Sequence, residues 1–358
     1  MCEVAMLCGE MAFTSRENIY LVGFVEESER FEFSGRLHLP RRWYSMIMRQ
    51  RAHDPPVKNR YEQVHKSATH QTRLAHALAV LGRLLDDRRP LDEIERVIAA
   101  EPDPVLKNTL RYMADRVAFA REMLQFEPEG PVQEAALQTW SRRIIFLCNR
   151  QWGKSTIAAI RVLHRAWFWP GSLILLVSRT HAQSGGLLQK VKEFLPLLGI
   201  SERASRGDGV NRLSVKLPNG SRIVALPGGQ RPTRSYSKVA MVVIDEASIV
   251  PDPVHDAVAP TLARTNGELI LASTPAGKRG SFYRAWMFGG REWFKVFGPV
   301  DAKSPISRAH LDLELARAGQ DYVDQEYFCV FLDRDSYLFG EDSLQAVFSQ
   351  DVETWEEL

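Results

Sequence analysis

Hydrophobic positions along the chain follow two patterns, one before residue 131 and another after it. From about residue 70 to about residue 125, apolar side chains recur every three or four positions, which predicts amphipathic helices. The first of these apolar series is Leu74, Leu78, Leu81 and Leu85. Beyond residue 131, short continuous apolar runs alternate with helical stretches; the runs are RIIFLC, SLILLVS, KVAMVVID and GELILAS. Continuous apolar strands separated by crossover helices predict an α/β fold whose mainly parallel sheet is covered on both faces.

Changes of pattern and Pro-rich stretches divide the chain into four regions. These are an irregular or short-strand region at 1–67, a helical region at 68–126, an α/β domain at 127–335 and a C-terminal tail at 336–358. Within the α/β domain, helices are expected after Lys154, after His181 and around Ser281. The stretch RLSVKLPNGSRIVALP predicts a hairpin that turns at Pro218-Asn219-Gly220.

The charge balance excludes a uniformly basic nucleic-acid-binding protein. The 358 residues include 46 Lys plus Arg and 44 Asp plus Glu, so any nucleic-acid surface depends on local clustering. The basic stretch 41–66 is one such cluster, although a solvated face or mobile arm is its commoner meaning. The four cysteines lack metal-ligand spacing, the apolar runs are too short to span a bilayer, and the N-terminus does not resemble a secretion signal. We therefore expect a reduced, cytoplasmic protein without a membrane segment.

The stretch CNRQWGKST, residues 148–156, has the pattern of a phosphate-binding loop between an apolar strand and an amphipathic helix. In such a loop, backbone N–H groups and the helix N-terminus present positive charge to phosphate oxygens. Gly153 permits a close backbone approach, Lys154 would reach the β- and γ-phosphates, and Ser155 would place its hydroxyl on Mg²⁺, with Thr156 in a secondary role. Cys148 replaces the usual first glycine and, at a strand end, requires only ordinary backbone angles. The loop predicts binding of ATP with Mg²⁺.

Two later strands end in polar side chains that suit the same site. VAMVVIDEAS places Asp245 and Glu246 at the carboxyl end of an apolar strand, where ligands bind in open α/β sheets. Asp245 suits a role on Mg²⁺, and Glu246 suits a base that polarises the attacking water. ELILASTPAGKRG is another apolar strand, and its terminal Ser273 and Thr274 are suited to sense a γ-phosphate or a water. Taken singly, each pattern also fits a solvated loop or a plain strand exit, but together they favour a functional site.

These motifs, in this order, resemble the large terminase subunits of tailed phages, the ATP-driven motors that package DNA into proheads. The likeness extends from about Gln125 to Phe348 and covers most of the C-terminal two-thirds of the chain. Besides the loop and the acidic strand, it includes FEPEGPVQEAALQ, SLILLVSRTHAQSGGLLQKV, STPAGKRGSFY and DYVDQEYFCVFLDRDSYLFGEDSLQAVF. The family's variant of the loop commonly has Arg-Gln before Gly-Lys-Ser, as Arg150 and Gln151 stand here, and does not require the first glycine.

The resemblance implies a fold, a set of residue roles and a set of partners. The implied fold is a P-loop NTPase of the additional-strand catalytic-glutamate type, with a mainly parallel sheet flanked by helices and an N-terminal helical region. Gln133 would contact the adenine, Arg150 would act on the γ-phosphate, and Ser273 and Thr274 would couple hydrolysis to DNA movement. The remaining implied nucleotide-site residues are Gln151, Gly153, Lys154, Ser155, Thr156 and Asp245. The implied partners are double-stranded DNA, a portal protein, a small terminase subunit and further copies in a homo-oligomeric ring, in the cytoplasm of a bacterial host that contains the phage or prophage.

One departure from the family concerns the C-terminal end. Members normally continue into a nuclease domain, whereas only 25 residues follow FCVFLD, so we expect no DNA cleavage by this chain. Two other functions stay open: a helicase-like P-loop ATPase, which single-stranded nucleic acid would stimulate more than duplex, and an inactive prophage-derived fragment. The intact Lys154, Asp245 and Glu246 favour an active ATPase that translocates duplex DNA.

Overall fold

The structure is a computed structural model that describes residues 13–15, 18–20, 68–200, 213–227, 236–301 and 304–333. The basic stretch 41–66, the candidate cluster for nucleic-acid binding, and the tail 336–358 lie outside the described residues.

A seven-stranded sheet forms the centre of the described chain. Its strands are β3 (Arg143–Cys148), β4 (Leu173–Ser178), β5 (Ser214–Lys216), β6 (Arg222–Pro227), β7 (Val239–Asp245), β8 (Glu268–Ser273) and β9 (Trp293–Gly298). The spatial order is β5-β6-β4-β7-β8-β3-β9, and every neighbouring pair is parallel except β5 and β6. Two further short strands, β1 (Phe13–Ser15) and β2 (Asn18–Tyr20), pair antiparallel with each other. The mainly parallel sheet confirms the predicted α/β fold.

Helices cover both faces of this sheet. The α-helices of seven or more residues in the described chain are α1 (Ala68–Asp86), α2 (Leu91–Ala100), α3 (Pro104–Ala114), α4 (Pro131–Gln138), α5 (Lys154–Phe168), α6 (His181–Phe194), α7 (Asp252–Ala263), α8 (Gly280–Phe288), α9 (Arg308–Ala318) and α10 (Gln320–Glu326). Local chemistry fixes several starts: Asp103 caps α3 by accepting from two backbone N–H groups, and Thr180 with Gln183 forms a capping box at α6. The helices predicted after Lys154, after His181 and around Ser281 are therefore confirmed as α5, α6 and α8.

The period-two alternation of β3 shows how the sheet divides the core. Ile144, Phe146 and Cys148 pack on one face, while Ile145 and Leu147 pack on the other. The first face is covered by α5 and α6 together with the helical region that begins at α1. The second face is covered by α7 and α8. Because both faces are buried, the central strands are continuously apolar, as the sequence predicted.

A buried ionic cluster joins the helical region to the sheet. Glu268, at the start of β8, accepts from Arg116 Nη2 at 3.3 Å and from Arg161 Nη2 at 2.8 Å, and all three side chains are buried. Burial alone would raise the pKa of Glu268, but the two guanidinium groups hold it below its usual value, so the carboxyl is charged. Arg161 also donates to three carbonyl oxygens at the end of α4, which satisfies part of that helix terminus.

Two further expectations concern the hairpin and the membrane. The antiparallel β5–β6 pair is the predicted hairpin, and Gly220 adopts φ +86° in its turn while the Leu217 N–H donates to the Ser221 carbonyl. None of the helices in the described part of the chain combines the length and the hydropathy of a bilayer span.

Candidate nucleotide site

The stretch 149–153 forms a compact loop between β3 and α5. Gly153 is the N-cap of α5 with φ +88°, a left-handed conformation that an L side chain adopts only with strain. A Cβ there would also lie 3.3 Å from Gln133 Nε2. Cys148 is buried at the end of β3, in register with Gly298, and has no positive φ. As predicted, the loop therefore needs no glycine at its first position.

Asn149 fixes the shape of the loop, a role that the sequence analysis did not identify. Its Oδ1 accepts from the Gln151 N–H at 2.9 Å, and its Nδ2 donates to the Gly298 carbonyl at 3.0 Å. The first contact is the local turn that Asn side chains favour, and the second ties the loop to the end of β9. An Asn directly after an apolar strand was the available sequence signal. Gln151, which the resemblance assigns to the nucleotide site, is itself exposed.

Lys154, Ser155 and Asp245 meet at the carboxyl edge of the sheet. Lys154 is 4% exposed, and its Nζ lies 3.3 Å from the Asn149 carbonyl, inside the loop. Ser155 Oγ donates to Asp245 Oδ2 at 3.4 Å. Burial and the neighbouring Glu246 raise the pKa of Asp245 to about 6, although the Lys154 ammonium opposes that rise. A buried carboxylate beside a hydroxyl suits a divalent cation, because bound cation charge would favour the ionised form.

The Ser155 hydroxyl and the Asp245 carboxylate suit Mg²⁺ better than they suit a metal ion whose ligands all come from the protein. In the described part of the chain, no group of three or more His, Cys, Asp or Glu residues could enclose an ion. Mg²⁺ in phosphate sites uses one or two protein oxygens and completes its shell with water and phosphate oxygens. The Ser155 hydroxyl and the Asp245 carboxylate supply that number.

Glu246 begins the turn after β7 in a left-handed conformation, with φ 53° and ψ 43°. Such a conformation is uncommon for a non-glycine residue. The carboxylate accepts from Ser273 Oγ at 3.3 Å, and Ser273 Oγ lies 2.7 Å from Ser248 Oγ. Ser273 and Thr274 are both buried where β8 ends. The structure thus places Glu246 beside Ser273, and Ser248 is an additional residue of this contact.

Strand order explains why these side chains meet. β8 lies between β3 and β7, so that Ser273 is in register with Leu147 of β3 and Ala272 is in register with Asp245 of β7. The strand that ends at Asp245 is therefore separated from the loop strand β3 by one strand, β8.

Three more residues of the predicted site are Arg150, Gln133 and Thr156. In the structure, Arg150 and Gln133 form hydrogen bonds with other protein groups. Arg150 Nε donates to Glu326 Oε2 of α10 at 2.7 Å, and this hydrogen bond raises the pKa of the arginine. Gln133 is buried; its Nε2 donates to the Trp152 carbonyl at 2.7 Å and its Oε1 accepts from a backbone N–H at 2.8 Å, so its amide braces the loop. Thr156 lies in the first turn of α5.

The chain is similar to known proteins in sequence and in fold. No family model matches the chain. Two curated relatives named as large terminase subunits, from Thermus phage G20c and Thermus virus P23-45, are 26% and 25% identical over 236 residues, which is 61% of the chain and 47% of each relative. The solved large terminase ATPase domain of Thermus phage P74-26 matches with a TM-score of 0.51 at 20% identity, over 59% of the chain and 97% of that domain.

The resemblance predicted from the sequence is confirmed over about 60% of the chain. The structural match and the strand order confirm the P-loop NTPase fold. The chain spans about half the length of the curated relatives it matches.

Proposed function

We propose that this chain is the ATPase of a DNA-packaging motor similar to the large terminase subunits, which hydrolyses ATP to translocate duplex DNA. The observation that supports this most is that five polar side chains meet where three neighbouring strands end. These side chains are Lys154, Ser155, Asp245, Glu246 and Ser273. The likeness to large terminase subunits in sequence supports the packaging role.

Phosphate binding follows from the loop and the start of α5. Backbone N–H groups at a helix N-terminus attract anions, and Lys154 adds a full positive charge that the surrounding protein largely shields from water. Ser155 and Asp245 would hold Mg²⁺, which when bound would offset the negative charge of the β- and γ-phosphates. Asp245 must lose its proton to serve as a ligand, and its pKa of about 6 permits this near neutral pH.

Glu246 would orient the attacking water and accept its proton. The hydrogen bond from Ser273 Oγ holds the Glu246 carboxylate toward the end of β8. The left-handed backbone of Glu246 further fixes where the side chain starts. A base that is already oriented avoids part of the entropic cost of the transition state.

Arg150 would stabilise charge on the transferring phosphoryl group after it exchanges partners. In the present structure its guanidinium contacts Glu326, so a move toward the γ-phosphate breaks a charged hydrogen bond. Because Glu326 belongs to α10, that exchange would report the nucleotide state to the segment after β9. Ser273 and Thr274 would report the loss of phosphate to α8, which follows them in the chain.

The same proposal assigns partners. Duplex DNA would be held through its phosphates, because a packaging motor must accept any sequence. Lys278, Arg279 and Arg284 near the start of α8 are candidate contacts, although Lys278 lies 3.6 Å from Asp333 and Arg284 lies 2.7 Å from Asp252. A portal protein, a small terminase subunit and further copies in a ring complete the assembly that we propose, in the cytoplasm of a bacterial host.

The deciding experiment is steady-state ATP hydrolysis with Mg²⁺, with and without long duplex DNA. Glu246→Gln should lower turnover by about 10² to 10⁴, the usual contribution of a general base, while ATP still binds. Glu193→Gln, on the exposed side of α6, is the matched control and should keep full activity. Stronger stimulation by single-stranded DNA would favour a helicase-like ATPase, and turnover equal to that of Glu246→Gln would indicate an inactive fragment.

A further inference from the structure

Lys190 is a cation that approaches the nucleotide site from a second helix. It lies on α6, is partly buried, and its Nζ is 3.4 Å from Thr156 Oγ1 in the first turn of α5. Side chains on a helix lean toward its N-terminus, and both helices follow strands that end at the site. Lys190 therefore extends toward the carboxyl edge of the sheet.

The electrostatics of this contact are incomplete without an anion. Among the described residues, Thr156 is the hydrogen-bond partner of Lys190, and no carboxylate lies within ion-pair distance of its Nζ. A helix N-terminus disfavours a nearby cation, and Lys154 already places a second positive charge in that same first turn. Two lysines at one helix N-terminus are stabilised when a polyanion lies between them.

The surface of α6 leaves room beside Lys190. Gly186 lies one helical turn before it on the same face, and a Cβ at Gly186 would meet no described atom within 4 Å. A Cβ at the adjacent Gly185 would lie 3.3 Å from Leu213 Cδ2, so packing explains Gly185 but not Gly186. A side chain of Lys190 can thus reorient toward a ligand without displacing a neighbour at that position.

The position of Thr156 indicates which phosphate Lys190 would contact. In the proposed function, Lys154 and the Ser155–Asp245 pair would hold the β- and γ-phosphates and the metal. Thr156 is the next residue along α5, and its side chain contacts Lys190 rather than Asp245. We infer that Lys190 is a phosphate-binding residue that contacts the nucleoside-proximal phosphates of the bound nucleotide. This inference rests on the proposed function, since it requires that the loop bind a nucleotide.

A contact with the nucleoside-proximal phosphates predicts equal losses for ADP and ATP. In Lys190→Gln, the Kd of a fluorescent ADP and that of a fluorescent, slowly hydrolysed ATP analogue should each rise about tenfold, with their ratio unchanged. Lys190→Arg should recover most of this affinity, because it keeps the charge. The salt dependence of ADP binding should also become shallower in Lys190→Gln, which a purely structural role would not cause. Lys216→Gln, an exposed lysine on β5, is the control and should bind as the wild type does.

Each other outcome has a distinct meaning. Unchanged affinity of Lys190→Gln for both nucleotides, with binding by the wild type intact, overturns the inference and leaves the proposed function standing. A loss confined to the ATP analogue also overturns it, because it would place Lys190 at the γ-phosphate. Failure of the wild type itself to bind either nucleotide refutes the proposed function, and the inference with it.

Discussion

Replacement of Asp245 by asparagine tests the electrostatic description of the site. The carboxyl is buried beside Glu246, and its pKa rises from 3.8 to about 6 as a result, with burial the largest cause. Between these two pH values the folded chain binds a proton more tightly than the unfolded chain does. Stability must therefore fall as pH rises through this window, and it stays reduced at higher pH.

The size of the effect follows from the same values. At about 1.4 kcal/mol for each unit of pKa, the difference between 3.8 and about 6 corresponds to about 3 kcal/mol. An asparagine is neutral at every pH, and its Oδ1 can still accept from the Glu246 N–H, which now lies 3.2 Å from the Asp245 carboxylate. We expect Asp245→Asn to raise the free energy of unfolding by up to about 3 kcal/mol at pH 7.5, and to abolish Mg²⁺-dependent hydrolysis.

Urea unfolding from pH 4 to pH 8, in EDTA and without nucleotide, measures this difference. The advantage of Asp245→Asn over the wild type should be near zero at pH 4, grow through pH 6 and then level off. Asp256→Asn, which changes an exposed carboxyl on α7, should show no comparable trend. A difference that does not change with pH, or a variant less stable than the wild type at pH 7.5, would refute the reasoning.

Three further predictions concern other parts of the chain. Glu268→Gln leaves two buried arginines without a counter-charge and should lower the free energy of unfolding by about 3–5 kcal/mol in urea titrations. Glu326→Gln releases Arg150 for the nucleotide and should tighten ATP binding about threefold with little change in stability, because that ion pair is largely exposed on the arginine side; equal or weaker binding would contradict this. Gly186→Ala fills open space on a helix and should stabilise the chain by about 0.5–1 kcal/mol in thermal unfolding, more than the better-packed Gly185→Ala does.

The residues that the sequence predicted are those whose chemistry is local. Lys154 and Ser155 open a helix directly after a strand and a loop, and Asp245 and Glu246 end a continuous apolar strand, so short stretches define both motifs. Placing these motifs at one edge required only that the strands be parallel. Ser273 could be assigned in the same way.

The contacts that the sequence did not predict join distant positions without a periodic pattern. Glu326 is 176 residues from Arg150, and a carboxylate at the end of a short helix gives no signal of its partner. Lys190 looks like an ordinary polar position of α6 until α5 is placed beside it. Glu268 begins an apolar strand as a charged residue, which only the two buried arginines explain. Each of these contacts depends on tertiary placement rather than on local propensity.

The two ends of β8 are held by different interactions. This difference bears on which element would move when Glu246 changes its contacts. At its start, Glu268 is held by the buried arginines, while at its end Ser273 contacts Glu246 through a single hydrogen bond. Beyond β8, the first turn of α8 is held by Asp252, which accepts from the Ser281 N–H at 2.7 Å and lies in the segment after Glu246. Glu246, the proposed general base, and the start of α8 are thus linked twice, through Ser273 and through Asp252. Because the start of β8 is fixed by buried charge and the contacts at its end are exchangeable hydrogen bonds, we expect a change at Glu246 to displace α8 rather than the sheet.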